Sequence, residues 1–346
     1  MLAFDVDILV RNFFWGGVSV RRNLHAGKRQ GGGFSLNVFS DDELYDIHLA
    51  TLEVLEKAGV FVENEEAIEI FYGGGAIIDR KNKVAKLPPY LVEDSLRSAP
   101  AKFIMSGRRP EDDFVVENNR VGFTNFGEGI LVADIETGEL RDPAKKDVAD
   151  TAKLGDFLSE VDVYNRAIGA HDVPAEVAPV HNAEAFFNNT TKHCMVGPFS
   201  GYQTKQIVKM AAAIAGGKDK LRERPLVSFH TCPVSPLKLV DDACEIIMES
   251  ARSGMMVNVI SMAMAGASSS IHLAGTLVDH NAELLASVTL SQLTCKGAPI
   301  MYGSSTTAMD LRFAAATVGC PECAMINAAV ARLARYNGLP SFVAGT

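Results

Sequence analysis

From residue 121 onward the chain alternates short apolar runs with helical stretches, and this rhythm restricts its fold more than any other feature. The runs lie at residues 121–126, 163–169, 194–199, 226–231, 256–262, 299–302 and 341–344. Helical periodicity falls between them, at 143–158, 177–190, 202–215, 236–252, 274–294 and 321–337. Pro143, Pro236 and Pro321 stand where a first helical turn accepts proline, and Gly338 suits a left-handed C-cap. Strand–helix–strand units repeated this often put the strands parallel, because parallel neighbours need a crossover between them. The glycine clusters carry no nucleotide fingerprint: Gly31-Gly-Gly33 and Gly73-Gly-Gly75 do not sit between a strand and a helix, and Gly216-Gly-Lys218 is followed by Asp219. No Gly-x-Ser-x-Gly elbow occurs either. The even repeat therefore favours a barrel over a doubly wound sheet. The expected fold is α/β: an incomplete eight-stranded (β/α) TIM-type barrel over 121–346, holding strands one to seven. Before it come an α+β preface over 37–120 and an irregular arm over 1–36, expected to pack on a neighbouring subunit of a homo-oligomer.

The preface opens on a capping box, Ser40-Asp-Asp-Glu43, followed by Leu44, Ile47, His48, Thr51, Leu52 and Leu55 at helical spacing. A strand at 60–62, a helix at 64–71, a hairpin over 76–79 and 83–87 and a third helix at 88–98 complete it.

A formal net charge of −9 argues against a nucleic-acid partner, whose phosphates need a basic surface. No run reaches the ~18 apolar residues of a membrane span. The nearest, 240–265, is broken by Asp241, Asp242, Glu245, Glu249 and Arg252. The N-terminus has no signal-peptide pattern, and six cysteines in 346 residues make no disulfide framework. A reducing cytoplasm is the expected location.

In a barrel the strand tips converge on one mouth. Here they are polar: Asn125-Phe-Gly-Glu-Gly129, Gly169-Ala-His-Asp172, Phe229-His-Thr-Cys232, Asn258 with Ser261, and Tyr302-Gly-Ser-Ser-Thr306. Candidate substrate-binding residues are Glu128, His171, His230, Asn258 and Tyr302. Asn258 interrupts an apolar strand, and a buried amide needs partners that a ligand can supply. Glu128 with the faces of Phe126, Phe229 and Tyr302 can hold a cation. The plainer readings are a solvated loop acid for Glu128, a loop cap for His171-Asp172 and core for the aromatics. His230 and Cys232 point to one side of an extended strand, so zinc is an alternative, but a third ligand is missing. Cys320-Pro-Glu-Cys323 reads first as two small buried residues at a helix start.

These segments, in this order, resemble a known family. The preface motifs are 40–59, Leu87-Pro-Pro-Tyr-Leu91 and Met105-Ser-Gly-Arg108. With Cys232-Pro-Val-Ser-Pro-Leu237 and Gly297-Ala-Pro-Ile-Met-Tyr-Gly-Ser-Ser305 they look like the trimethylamine:corrinoid methyltransferase family, from Phe39 onward. The resemblance implies an eight-stranded α/β barrel. It also implies methyl transfer from trimethylamine to Co(I) of a corrinoid (cobalamin) carried by a separate, cognate corrinoid protein. Glycine betaine or another quaternary amine is the alternative substrate, and an inactive truncated fragment is the non-enzyme alternative. The best-known members carry pyrrolysine at an amber codon. The resemblance therefore places the catalytic residue directly after Thr346, with the chain read as ending at that codon.

Overall fold

The computed structural model describes residues 38–117 and 120–343. The arm over 1–36, together with Ala344 at the end of the last run, lies outside the described residues.

The preface forms as its sequence predicts. Ser40 caps α1 (Asp41–Lys57), its hydroxyl accepting from the Glu43 N–H at 3.3 Å while the Glu43 carboxylate accepts from the Ser40 N–H at 2.8 Å. β1 (Val60–Val62) leads to α2 (Glu65–Gly74), capped by Asn64. The antiparallel hairpin of β2 (Ile77–Asp79) and β3 (Val84–Lys86) follows, then α3 (Pro89–Ser98) with proline in its first turn. A second hairpin, β4 (Lys102–Met105) with β5 (Phe114–Glu117), ends this part.

Beyond it come a small hairpin of β6 (Val132–Ala133) and β7 (Leu140–Arg141), and then the repeating units. In chain order these are α4 (Lys145–Phe157), β8 (Val163–Asn165), α5 (Ala178–Phe187), β9 (His193–Val196), α6 (Gly201–Ala215), α7 (Lys218–Glu223), β10 (Val227–Thr231), β11 (Lys238–Leu239), α8 (Asp241–Ser253) and β12 (Val257–Ser261). There follow β13 (Met264–Ala265), α9 (Leu273–Thr294), β14 (Ile300–Ser304), β15 (Thr307–Asp310), β16 (Ala315–Ala316), α10 (Pro321–Tyr336) and β17 (Ser341–Val343). β8, β9, β10, β12, β14 and β17 make one curled six-stranded sheet, neighbours in sequence order and all parallel. The architecture is mixed α/β with a parallel half-barrel, consistent with a partial TIM-type barrel. Among the described residues, no helix is long and apolar enough to cross a membrane.

Alternation along the strands sorts their side chains. Tyr164, Val196, Phe229, Val257 and Tyr302 pack outward in one apolar cluster with the helices, a cluster that continues through Leu285 to Leu44 and Phe71 of the preface. β1 also pairs with β11, which joins the two parts through a shared sheet. On the inner face, Val163, Met195, Met256 and Met301 meet Met105, Phe114 and Val116, so the β4–β5 hairpin closes that end of the sheet.

Two expectations fail for identifiable reasons. The first apolar run, 121–126, is no regular strand; it touches β8 through a single parallel bridge, Thr124 to Val163. Asn125 explains this, because its side chain takes the place of the next ladder step. Its Oδ1 accepts from the Asn165 N–H at 2.9 Å, and its Nδ2 donates to the Asn165 carbonyl at 2.7 Å. Pro143 and Pro236 lie ahead of their helices rather than in the first turn. Leu237 takes φ +55° and β11 pairs with β1, so α8 cannot begin until Asp241.

Candidate functional site

The loop after Thr124 folds back against β8 at the mouth end of the sheet. Gly129 makes a parallel bridge to Ile168, and its N–H donates to the Ala167 carbonyl at 2.7 Å. Gly127 lies so close that an added Cβ would stand 2.3 Å from the Asn165 amide nitrogen. Between these glycines Glu128 adopts φ +67°, a left-handed conformation that costs a non-glycine residue ~1 kcal/mol or more and that clusters at functional sites. The twist directs its carboxylate to the inner face.

There Arg166, 3% exposed, donates to Glu128 Oε1, and His230 Nε2 lies 3.2 Å from the same oxygen. Glu128 accepts on Oε1 only, so Oε2 has no protein partner among the described residues. Burial alone would raise this carboxyl's pKa. The hydrogen bond from His230 and the charge of Arg166 outweigh it and hold the pKa below the ordinary value. The other ring nitrogen of His230, Nδ1, is buried without a partner among the described residues.

Asn258 is the strand neighbour of His230, fully buried, with neither amide atom hydrogen-bonded. Two glycines make room for this pair. A Cβ on Gly197 would come within 2.7 Å of His230 Nε2; one on Gly303 would come within 2.4 Å of Asn258 Oδ1 and 2.5 Å of the Val259 carbonyl oxygen. The second contact is backbone in a paired strand and cannot yield without breaking the ladder. Gly303→Ala should therefore destabilise by about 1–3 kcal/mol, lowering Tm by roughly 3–10 °C. Calorimetry tests this, and an unchanged Tm would mean Asn258 is not packed as described.

The remaining candidates are not brought to this group. Tyr302 faces the helices, its hydroxyl donating to Asn281 Oδ1 at 2.8 Å and its ring 5.3 Å from that of His280. Phe229 is buried on the same outer face, and Phe126 is exposed at the surface, so the aromatic wall expected around Glu128 does not assemble. His171 stands on the surface 3.5 Å from Asp142, and Asp172 accepts from the Lys145 N–H at the start of α4, the plainer capping role. Cys232 has its thiol pushed up to about 11 by burial, with Glu128, Asp242 and Glu283 adding to the effect. Among the described residues no three His, Cys, Asp or Glu side chains group to hold a metal ion, so the zinc alternative lacks its third ligand. Asn165 and Arg166 were missed from sequence, although a polar pair inside an apolar run is the same signal that singled out Asn258.

The family model for trimethylamine methyltransferase (MTTB) matches residues 25–346. The chain belongs to the trimethylamine methyltransferase family. It is 52% identical to a trimethylamine methyltransferase MttB of Desulfitobacterium hafniense, with 94% of this chain and 66% of that protein covered. It is 43% identical to one of Methanosarcina barkeri, covering 94% and 67%. The chain thus spans about two thirds of the length of these curated relatives. The crystal structure of the Methanosarcina barkeri monomethylamine methyltransferase (MtmB) shares its fold, with a TM-score of 0.50 at 14% identity, over 88% of this chain and 67% of that one.

Proposed function

We propose that the protein transfers a methyl group from trimethylamine to the Co(I) of a corrinoid borne by a separate protein, and that Glu128 holds the amine. Membership of the family supports the substrate class. The observation that carries the site is the Glu128 carboxylate fastened by one oxygen to Arg166 and His230 while the other stays free. Neutral trimethylamine is a poor methyl donor, because the departing electron pair would be left on an amide anion. Protonated, it leaves as neutral dimethylamine. A carboxylate kept ionised and half exposed is suited to pair with that ammonium N–H through Oε2 and to orient its methyl groups away. Arg166 and His230 fix the carboxylate, and Asn258 lines the inner wall beside His230. The barrel is read as an incomplete form of the eight-stranded TIM type that the resemblance implied.

The corrinoid supplies a Co(I) nucleophile that accepts the methyl group. It must approach over the mouth, where the loops expose Phe126, Ile130, Phe199, Tyr202, Met262 and Phe313. An apolar rim of this kind suits a transient protein interface. The test is a methyl-transfer assay of the native protein with trimethylamine, reduced cobalamin and a corrinoid protein, followed by the visible spectrum. Formation of methylcobalamin is expected. No methylation from trimethylamine, with glycine betaine supporting it instead, would overturn the substrate assignment.

A further inference from the structure

The Cys320–Cys323 pair has no place in the methyl-transfer site. Cys320 is the N-cap of α10, and Cys323 occupies the third position of its first turn. Their α-carbons are one helical turn apart, a separation of about 5 Å that a disulfide spans. The two sulfurs differ in access: Cys320 is half-buried, whereas Cys323 is 3% exposed. They are also met by donors. Cys320 Sγ accepts from the Cys323 N–H at 3.3 Å and lies 3.2 Å from the Thr317 hydroxyl, and Asn327 Nδ2 donates to Cys323 Sγ at 3.7 Å. The helix follows β16, the outer strand of the small β13–β15–β16 sheet that pairs antiparallel with β15. This departs from the plainer reading of two small packed residues, because the pair is asymmetric, with an outer sulfur that can attack and an inner one that can resolve.

We propose that Cys320 and Cys323 form a redox-active dithiol that exchanges with small-molecule disulfides. The Cys320 thiolate attacks one sulfur of the disulfide, the S–S bond breaks, and one thiolate leaves. The Cys323 thiolate then attacks Cys320 Sγ and expels the second. Two electrons pass from the pair to the small disulfide, and the two cysteine protons end on the released thiols. The exchange needs neither the amine nor the corrinoid, so it stands or falls separately from the methyl-transfer reading. Its position beside Thr317, which bonds Ala308 of β15 through both its N–H and its hydroxyl, ties the redox state to a loop of the mouth.

The other cysteines provide an internal comparison. Burial pushes the Cys194 thiol far up and the Cys244 thiol up to about 12, so neither reacts readily. The test titrates the native protein anaerobically with mixtures of oxidised and reduced glutathione, then alkylates and digests it. A single tryptic peptide, 313–332, holds both cysteines. It should convert to the internal disulfide while Cys194 and Cys244 remain fully alkylated after denaturation. Cys323→Ala should lose the internal disulfide and carry one glutathione on Cys320 within the 313–332 peptide, counted apart from any on the exposed Cys295. Cys320→Ser retains a good cap residue, so it keeps α10, and should take up no glutathione at Cys323. Circular dichroism confirms that both variants fold. A wild-type peptide that stays fully reduced across the titration, or a folded Cys323→Ala protein that gains no glutathione on Cys320, would overturn the proposal.

Discussion

Glu128→Gln should lower kcat/KM for trimethylamine by about 100-fold while leaving the protein folded. The substitution preserves shape and removes only the charge. Without it, Oε2 no longer offers an ionic partner to the ammonium, and the protonation that makes the amine a competent leaving group is no longer favoured in the site. Arg166, buried at 3% exposure, loses its counter-charge, while the glutamine oxygen can still accept from Arg166 and His230. Because the Glu128 side chain is itself half exposed, solvent screens the pair, and the stability cost should be only about 1–2 kcal/mol. Thermal melts and methyl-transfer kinetics on the same samples separate the two effects. The lowered carboxyl pKa also sets a pH window: Glu128 stays ionised through the neutral range, and its contribution to binding is lost only as pH falls below the ordinary carboxylate range. Unchanged kcat/KM in a folded Glu128→Gln protein would remove this residue from the cation site.

What could be read in the sequence depended on how local the determining interactions are. The capping box of α1, the β2–β3 hairpin and the alternation of strands and helices rest on contacts within a few residues, and each formed as expected. The first strand did not, because Asn125 bonds the backbone of Asn165, forty positions away, and no periodicity reveals such a partner. The site divides in the same manner. Glu128 was conspicuous between glycines and His230 at a strand tip, but their meeting on one carboxylate oxygen with Arg166 depends on β8 and β10 lying on either side of β9. Tyr302 was misassigned by its face: one residue along a strand reverses the side chain, and only the register with β12 and the bond to Asn281 show that it points outward.

Acid should destabilise the protein well above the pH at which its carboxylates protonate, and two buried histidines are the reason. His193 is buried at the start of β9, with Nδ1 2.9 Å from the Pro225 carbonyl and Nε2 2.8 Å from the Ser228 hydroxyl; burial holds its pKa down near 4 although the carbonyl bonds pull it up. His280 is buried on α9, with Nδ1 2.9 Å from the Thr306 hydroxyl, and burial holds it near 3. In the unfolded chain both titrate near the usual ~6.5. As pH falls below that value, the unfolded chain gains a proton at each site that the native state refuses. Their contribution is therefore fully present above the unfolded pKa and lost as pH drops toward the folded values. Each group costs ~1.4 kcal/mol per pH unit, so the pair should remove on the order of 5 kcal/mol between neutral pH and pH ~4.5. That is a large share of the ~5–15 kcal/mol by which domains are stable. Glu283 opposes the trend weakly. Burial raises its carboxyl pKa, so its own contribution is present at low pH and lost as pH rises through the raised value. The two histidines are not equivalent. His193 already engages both nitrogens, whereas a charged His280 would place a proton on Nε2, which has no acceptor among the described residues. His280→Gln should accordingly halve the slope of unfolding free energy against pH in urea titrations between pH ~4.5 and 6.5. A slope equal to the wild type would show that His280 is not held neutral. Thr306 also donates to the Ser261 carbonyl at the tip of β12, so charging His280 should loosen the mouth directly, and methyl transfer should decline at a higher pH than helix content does.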